Sequence, residues 1–250
     1  MKVIGIIPSR YASTRFPSKP LSMIKGKTMI QRVWEQAWKS KLDAVVIATD
    51  DIRIADEVLK FGGQYVMTDP NHRSGTDRCR EALYRVEGSY DAVVNIQGDE
   101  PFIDPNQINQ VIDLISRDDT QLASLAKRIE DEYELFSPNT VKVVMDKLGN
   151  ALYFSRNPIP FMRNLDHEKW LQKGEFYKHI GLYAYKTDVL CEIAKMSPTM
   201  LETSESLEQL RWLENGFHIR MGITQIESLS VDTQEDLEKA LQFANNQLVE

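Results

Sequence analysis

Basic side chains cluster near the start of the chain, in the segment IIPSRYASTRFPSKPL. Arg10, Arg15 and Lys19 stand there without a neighbouring acid, although the 250-residue chain has a formal net charge of -7. Arginine presents a planar fork of donors and lysine a mobile point charge, and both suit phosphate oxygens. The cluster predicts an anionic ligand, with a triphosphate as the best fit. The alternative is ordinary pairing with surface acids, which is common and weak.

Two aspartates have the chemistry of magnesium ligands. Asp99 follows the apolar run AVVNI in the segment QGDEP, and Asp232 directly precedes the last segment of helical period. Magnesium takes oxygen ligands, and one or two carboxylates with substrate phosphates often complete its site. Gly98 would allow a close backbone approach to a ligand. The alternatives are a turn capped by Asp99 and a helix N-cap at Asp232, and the sequence leaves open whether the two residues meet.

Several classes of function are disfavoured by what the sequence lacks. No GxGxxG follows the first apolar run and no GxxxxGK[ST] occurs, which disfavours dinucleotide and P-loop sites. The four histidines lack the spacing of zinc ligands, and two cysteines cannot form a disulfide framework. The acidic balance disfavours nucleic acid as a partner. Without a recognisable secretory signal or an apolar run near ~20 residues, we expect a cytoplasmic protein that does not bind membranes.

An α/β scaffold is expected to position these residues. Short apolar runs at 3–7, 44–48, 64–67 and 92–96 are typical of buried strands, and the segments between them are long enough for crossover helices. The expected fold is a three-layer α/β sandwich with a mostly parallel, Rossmann-like central sheet. Ligands of such sheets bind beyond the carboxyl ends of the strands, where the basic loop and QGDEP both fall.

Helices and one irregular region complete the expected organisation. Apolar periodicity predicts helices over 30–37 and 108–115, and a capping box at Thr233 begins a final amphipathic helix. The region 156–178, with two prolines and mixed charges, is typical of a long loop or lid. We therefore expect a single domain over 1–250 with this region as an insertion.

Eight segments, in order from end to end, resemble the family of CMP-KDO synthetases. These are the 3-deoxy-manno-octulosonate (KDO) cytidylyltransferases of the sugar nucleotidyltransferase superfamily. The basic first loop alone is common in that superfamily, whereas eight segments in the family's order are specific. The segments are IPSRYASTRFPSKPL, HRSGTDR, NIQGDEP, NTVKVVMD, ALYFSRNPIP, HIGLYAY, LEQLR and VDTQEDL.

The resemblance implies a fold, an activity and a cofactor. The fold would be the nucleotidyltransferase form of the α/β sandwich. The activity would be condensation of CTP with KDO to give CMP-KDO and pyrophosphate, for lipopolysaccharide assembly, with Mg²⁺ as cofactor. Members of the family are generally homodimers, in which 156–178 would be an interface or a lid.

The resemblance also implies roles for individual residues. The triphosphate of CTP would be held by Arg10, Arg15 and Lys19, and magnesium by Asp99 and Asp232. The predicted catalytic set combines two of these cations with both aspartates, namely Arg10, Lys19, Asp99 and Asp232. The nucleoside would lie near Ser74, Gly75, Thr76 and Arg78. KDO would be held by Gln97, Arg163, His179, Tyr183, Glu208 and Gln209, with Arg156 as a further partner for its carboxylate.

Purely structural roles remain open for several of these residues. His179 and Tyr183 lie on an apparent strand and could belong to the core. Glu208 and Gln209 lie on a predicted helix beginning near Ser206, where polar residues usually face water. Ser74 or Thr76 could simply cap a helix.

The first loop departs from the family's usual pattern. Ser18 stands where glycine is common, and Phe16 where leucine is usual. If the backbone at position 18 is left-handed, a side chain there is strained.

Two alternatives to a KDO enzyme remain. The chain could activate a sialic acid or an amino-substituted KDO with CTP, although Glu100 and HIGLYAY favour KDO. It could also be a non-catalytic nucleotide-binding regulator, because fold does not determine function.

Overall fold

The computed structural model describes residues 1–12 and 16–246, and the chain in it divides into two units. The first unit comprises Met1–Ile112 together with Ser228–Glu250. The second unit comprises Asp113–Glu227.

A parallel sheet lies at the centre of the first unit. The strands of this unit are β1 (Val3–Ser9), β2 (Met23–Ile24), β3 (Lys27–Thr28), β4 (Ala44–Thr49), β5 (Gln64–Met67) and β6 (Ala92–Asn95). Parallel pairing joins β1 to β4 and to β6, and β4 to β5. Nearly every side chain of β1, β4 and β6 is buried, as expected of strands covered on both faces. The strands predicted from the apolar runs are confirmed.

Helices cross over between these strands. They are α1 (Met29–Trp38), α2 (Ile52–Lys60), α3 (Gly75–Arg85) and α4 (Pro105–Ile115). α1 packs on β1 and β4 and buries Ile30, Val33 and Ala37, which are spaced as one helical face. α4 likewise buries Ile108 and Val111. Both helices were predicted from this periodicity and are confirmed.

The second unit mixes parallel and antiparallel pairing. Its strands are β7 (Leu122–Arg128), β8 (Lys142–Met145), β9 (Ala151–Ser155), β10 (Tyr177–Lys186) and β11 (Ile219–Thr224). β11 runs parallel to β7, whereas β10 is antiparallel to both β7 and β8, and β8 to β9. Its helices are α5 (Glu132–Phe136), α6 (Trp170–Lys173), α7 (Thr187–Ile193), α8 (Met200–Glu205) and α9 (Gln209–Glu214). None of the described helices has the length and hydropathy of a membrane-spanning segment.

The final helix, α10 (Gln234–Asn246), returns to the first unit. Its predicted capping box is present, because Thr233 Oγ1 accepts from the Asp236 N–H at 3.2 Å while Asp236 Oδ2 accepts from the Thr233 N–H at 3.1 Å. Leu237 and Ala240 pack with Val231 in a buried apolar cluster. The residues just before α10 are thereby tied to the core of the first unit.

The region 156–178 is largely irregular but has a core of its own. A 3-10 turn at His167–Lys169 leads into α6, and Trp170 is buried against Phe176 with ring centroids 5.9 Å apart. Ile129 and Leu135 belong to the same cluster. The role of the region as lid or interface stays a prediction, as does the single domain over 1–250.

Candidate functional site

The carboxyl ends of β1 and β6 line a cavity of about 220 Å³ in the first unit. Arg10 directly follows β1, and Gln97 and Asp99 follow β6. Polar residues of the loop after β1 and of the segment before α10 complete its wall. The cavity is lined by Pro8, Ser9, Arg10, Lys19, Pro20, Gln97, Gly98, Asp99 and Asp232. Most of the residues predicted to bind phosphate and metal therefore lie together, while Arg15 lies outside the described residues.

One ammonium group joins the two predicted metal ligands. Lys19 Nζ lies 2.7 Å from Asp99 Oδ2 and 3.2 Å from Asp232 Oδ1. The Lys19 side chain is only 15% exposed, so its charge is directed into the cavity. The sequence left open whether the aspartates meet, and the structure brings both to the same cation.

Backbone contacts explain why Asp232 lies beside Asp99. The Val231 N–H donates to the Asp99 carbonyl at 2.9 Å, and the Val231 side chain is fully buried. The Asp232 N–H donates to Asp236 Oδ2 at 3.2 Å, within the cap of α10. Thr233 is the capping residue, so the alternative that Asp232 itself serves as the N-cap is wrong.

Gly98 is required by the packing of the strand ends. A Cβ at position 98 would lie 2.8 Å from the Pro8 carbonyl oxygen, closer than a real Cβ approaches. The close backbone approach predicted at Gly98 is therefore an approach between the ends of β6 and β1. The packing of the protein itself requires it, without a ligand. It brings the QGDEP segment against the start of the basic loop.

Ser18 adopts a left-handed backbone conformation, which glycine would adopt more easily. Its φ is 57° and its ψ is 14°, and its N–H donates to the Tyr11 carbonyl at 3.1 Å. A short 3-10 turn, Lys19–Leu21, follows directly. The unusual backbone at Ser18 therefore sets the direction in which Lys19 leaves the loop.

The donor set of this cavity fits a divalent cation. Asp99 and Asp232 supply hard oxygen ligands, and both carboxylates already contact the ammonium group of Lys19. No cluster of three or more His, Cys, Asp or Glu side chains that could hold a metal alone occurs among the described residues. A magnesium ion that shares its coordination between one or two carboxylates and phosphates needs no such cluster.

A second cavity, of about 140 Å³, adjoins the first through shared residues Pro8, Ser9 and Arg10. Its other wall is the start of α3, where Ser74 Oγ caps the helix by accepting from the Asp77 N–H at 3.1 Å. The additional lining residues are His72, Arg73, Ser74, Gly75 and Arg78. The predicted nucleoside segment is thus placed beside Arg10, except that Thr76 is buried. His72 and Arg73 were missed by sequence reasoning, although both lie in the segment HRSGTDR.

The Arg78 side chain connects three elements of the first unit by hydrogen bonds. Its side chain is 3% exposed, Nη1 donates to Thr68 Oγ1 at 2.5 Å and Nη2 to Asp50 Oδ2 at 3.0 Å. These contacts tie α3 to the ends of β4 and β5. Its contact with a nucleoside stays a prediction.

Glu100 is a buried carboxyl beside Asp99. It is 7% exposed, and burial raises its pKa to about 8, with the charge of Asp99 adding to the shift. The group is therefore largely neutral near pH 7. Its position a few residues after a buried strand is the one signal in the sequence for a buried carboxyl here.

In the second unit, predicted sugar contacts lie together on β10. The ring centroids of His179 and Tyr183 are 5.2 Å apart, and His179 Nε2 lies 3.0 Å from Ser124 Oγ. Burial lowers the pKa of His179 to about 3, so its imidazole is neutral at pH 7. Burial also raises the pKa of Tyr183, as do the charges of Tyr185 and Glu208. Tyr183 packs on Trp212, so its alternative role in the core has support.

The helix that carries Glu208 and Gln209 starts later than predicted. Ser206 is left-handed, with φ 52°, and ends α8, so α9 begins only at Gln209 with Glu208 as its N-cap. Gln209 is 5% exposed, so the alternative that it simply faces water is wrong, while its contact with KDO stays a prediction. The turn at Ser206 redirects the chain and so turns Gln209 inward.

The two arginines proposed for the sugar carboxylate differ sharply. Arg156 donates through its guanidinium to the carbonyls of Pro138, Glu205 and Ser206. Arg163 is exposed and has no hydrogen-bond or ion-pair partner among the described residues. Carboxylate binding by either stays a prediction, but the contacts of Arg156 argue against that role.

Comparisons with known proteins show the family to which the chain belongs. A family model described as Cytidylyltransferase matches residues 4–223. The 3-deoxy-manno-octulosonate cytidylyltransferase of Parabacteroides distasonis is 56% identical over 250 residues, covering 98% of this chain and 99% of that protein. The enzyme of the same name from Bacteroides thetaiotaomicron is 54% identical over 249 residues, covering 98% and 99%.

A solved structure is similar over the whole chain. It is a CMP:2-keto-3-deoxy-manno-octonic acid synthetase complexed with CTP, and it matches with a TM-score of 0.92 and 40% identity, covering 99% of this chain and 100% of that one. The match confirms the predicted fold class, a mostly parallel sheet with helices on both sides.

Proposed function

The chain belongs to the cytidylyltransferase family, and on that premise we propose that it is a 3-deoxy-manno-octulosonate cytidylyltransferase. It transfers CMP from CTP to the anomeric hydroxyl of KDO and releases pyrophosphate, a step toward lipopolysaccharide. The observation that supports this most directly is the contact of Lys19 with both Asp99 and Asp232 at the strand ends. Identity of 56% over nearly the whole chain supports the choice of sugar.

The reaction calls for positioning and charge neutralisation. The sugar hydroxyl must approach the α-phosphorus of a highly anionic triphosphate while pyrophosphate leaves. Arg10 and Lys19 line the cavity where that charge would be held, and fixed cations stabilise charge that develops in the transition state. No covalent intermediate on a serine or cysteine is needed.

Magnesium is proposed as the cofactor, with Asp99 and Asp232 as its ligands. Bound there, it would neutralise phosphate charge and lower the pKa of the attacking hydroxyl. The two carboxylates keep their place through the backbone bond from Val231 to Asp99 and the cap of α10. Lys19 has a flexible stem that lets its ammonium move from the carboxylates to a phosphate oxygen.

The second unit offers groups suited to an acidic sugar. Neutral His179 and the hydroxyl of Tyr183 can hydrogen-bond sugar hydroxyls, and Glu208 lies close enough to affect the pKa of Tyr183. Arg163 has an unengaged guanidinium among the described residues, which suits a bidentate carboxylate contact. We propose these residues as the KDO contacts of this unit.

The test is pyrophosphate release from CTP, KDO and Mg²⁺, with CMP-KDO identified by mass spectrometry. We expect turnover that stops when EDTA removes the metal and returns when Mg²⁺ is restored in excess. Activity that EDTA leaves unchanged would contradict the magnesium proposal alone.

A substrate panel separates the alternatives. Amino-KDO and sialic acid replace KDO in parallel reactions, and a higher kcat/KM for either would overturn the choice of sugar. Calorimetric binding of CTP without any pyrophosphate release would support the non-catalytic regulator.

A homodimer and a cytoplasmic location are also proposed for this chain. The homodimer rests on the family resemblance. Fractionation of the producing cells tests the location.

A further inference from the structure

The turn between α5 and β8 is organised around a buried ammonium group. The Lys142 side chain is fully buried, and its Nζ donates to the carbonyls of Ser137 at 2.8 Å, Thr140 at 2.6 Å and Arg156 at 2.7 Å. An ammonium has three donors, so all of them are used by main-chain acceptors. The segment NTVKVVMD, which the proposed function leaves without a role, supplies this lysine.

The Arg156 guanidinium also donates a hydrogen bond to the backbone of this turn. Its Nη1 donates to the Pro138 carbonyl at 2.9 Å, while Nε and Nη2 donate to the carbonyls of Glu205 at 2.7 Å and Ser206 at 3.3 Å. The Glu205 carboxylate accepts in return from the Arg156 N–H at 2.9 Å and from Ser155 Oγ at 2.7 Å. The guanidinium is therefore directed at the backbone of two segments.

Both segments lead directly to proposed sugar contacts. The Val141 carbonyl, next to Lys142, accepts from the His179 N–H at 2.8 Å. Ser206, whose left-handed backbone ends α8, stands two residues before Glu208, the N-cap of α9. A shift of either segment would move His179 or Glu208.

We propose that Lys142 and Arg156 form a clasp of two cations that positions His179 and Glu208 for the sugar, and that Arg156 does not itself bind the sugar carboxylate. The clasp joins the carbonyls of residues 137–140 to the turn at Ser206. The carbonyls of residues 137–140 and 205–206 lie outside the strands, and two cations supply the hydrogen-bond donors that strand pairing would otherwise provide. This inference deepens the proposed function and rests on it.

Two measurements on Arg156→Met and Arg156→Lys test the clasp. Because the clasp exists without substrate, Arg156→Met should speed hydrogen exchange at the His179 and Leu207 amides of the ligand-free protein by about 10-fold or more. It should also raise the KM for KDO by about 10-fold while leaving the KM for CTP near its wild-type value, because small displacements of binding groups are costly. Arg156→Lys, which keeps the charge, should recover part of both effects and serves if the methionine variant does not fold.

Lys142→Gln tests the other member of the clasp. It keeps two N–H donors without the charge, and the same two effects are expected at reduced size. Arg211→Lys is the control on the same pair of helices, because the Arg211 guanidinium donates to the Glu202 carboxylate and to the Met196 carbonyl. It should lower the melting temperature without changing His179 exchange or the KM for KDO.

With active wild-type protein, every other outcome of these measurements contradicts the inference. A raised KM for KDO with wild-type exchange would mean that Arg156 contacts the sugar directly. Faster exchange with an unchanged KM would make the clasp purely structural, and no change in either would remove it altogether. Wild-type protein that fails to release pyrophosphate from CTP and KDO would refute the proposed function instead, whereas the exchange measurement would still report on the clasp.

Discussion

At the scale of single residues, Lys19 decides the electrostatics of the cavity. Two carboxylates held near one another repel, and the Lys19 ammonium at 2.7 and 3.2 Å offsets that repulsion without substrate. The same positions suit a divalent cation when nucleotide phosphates are present. The electrostatics of the proposed metal site thus depend on which positive charge the two aspartates face.

Asp99→Asn is expected to reduce turnover on the order of 100-fold or more, because it removes an electrostatic group close to the reacting phosphates. The measurement is the steady-state rate of pyrophosphate release at saturating CTP and KDO. Asp104→Asn is the matched control, because Asp104 accepts from the Asn106 N–H at the start of α4 and asparagine caps equally well. Equal rates for wild type and Asp99→Asn would exclude Asp99 from catalysis.

His179 should make stability depend on pH. Burial lowers its folded-state pKa to about 3 from 6.5, so the unfolded chain binds more protons between these values. The contribution of His179 to the free energy of unfolding is therefore fully present above pH 6.5, and it is lost as the pH falls toward 3. The loss from this residue between pH 7 and pH 5 is up to about 2 kcal/mol.

Urea unfolding of wild type and His179→Gln at both pH values isolates that contribution. Glutamine cannot titrate, so the variant should lose less stability than wild type on going to pH 5. Parallel losses in the two proteins would show that His179 titrates normally in the fold.

At the scale of elements, the loop after β1 stores strain at the point where it presents Lys19. A left-handed backbone costs a residue with a side chain roughly 1–2 kcal/mol, whereas glycine adopts it freely. Ser18 has φ 57°, and the bond from its N–H to Tyr11 holds that conformation. The loop therefore keeps, with serine at position 18, a geometry that glycine would adopt without strain.

Ser18→Gly should raise the free energy of unfolding by about 0.5 kcal/mol, the relief of strain less the extra freedom of glycine in the unfolded chain. Ser22→Gly is the control, because Ser22 has an ordinary φ of -62° and should lose about 0.5–1 kcal/mol. Urea unfolding measures both. A loss of stability in both variants would show that the backbone at position 18 carries no strain.

At the scale of the whole molecule, chemistry is divided between the units. The residues proposed to bind phosphate and metal lie in the first unit, on parallel strand ends, and most proposed sugar contacts lie in the second, beside antiparallel pairs. Parallel strands bring their carboxyl ends to one edge, which suits a long anionic ligand. The antiparallel strand β10 instead places alternate side chains on one face, which suits a sugar.

The whole molecule is also expected to be a homodimer, as the resemblance implies. Size-exclusion chromatography with light scattering should give twice the mass of one chain, and the mass should not change on tenfold dilution from about 50 µM, as expected for a stable interface. A mass equal to one chain at every concentration would refute the dimer.

Short sequence patterns were sufficient to predict the secondary-structure elements and much of the local chemistry. Buried strands, the faces of α1 and α4 and the capping box at Thr233 depend on neighbours a few residues apart, so a short pattern is sufficient to predict them. The basic loop and QGDEP were predicted to lie at strand ends because parallel pairing requires it. The family followed from eight segments in order.

Contacts between residues far apart in the sequence could not be predicted and depend on the fold. Asp232 reaches Asp99 through a backbone bond between segments far apart in sequence, and no local pattern encodes such a contact. The Arg156 guanidinium donates to backbone carbonyls, one of them that of Ser206. Gln209 is buried because of the turn at Ser206. The left-handed backbone of this turn could not be predicted, because serine rarely adopts that conformation. The role of a polar side chain thus depends on which partners the fold supplies, and those partners come from elsewhere in the chain.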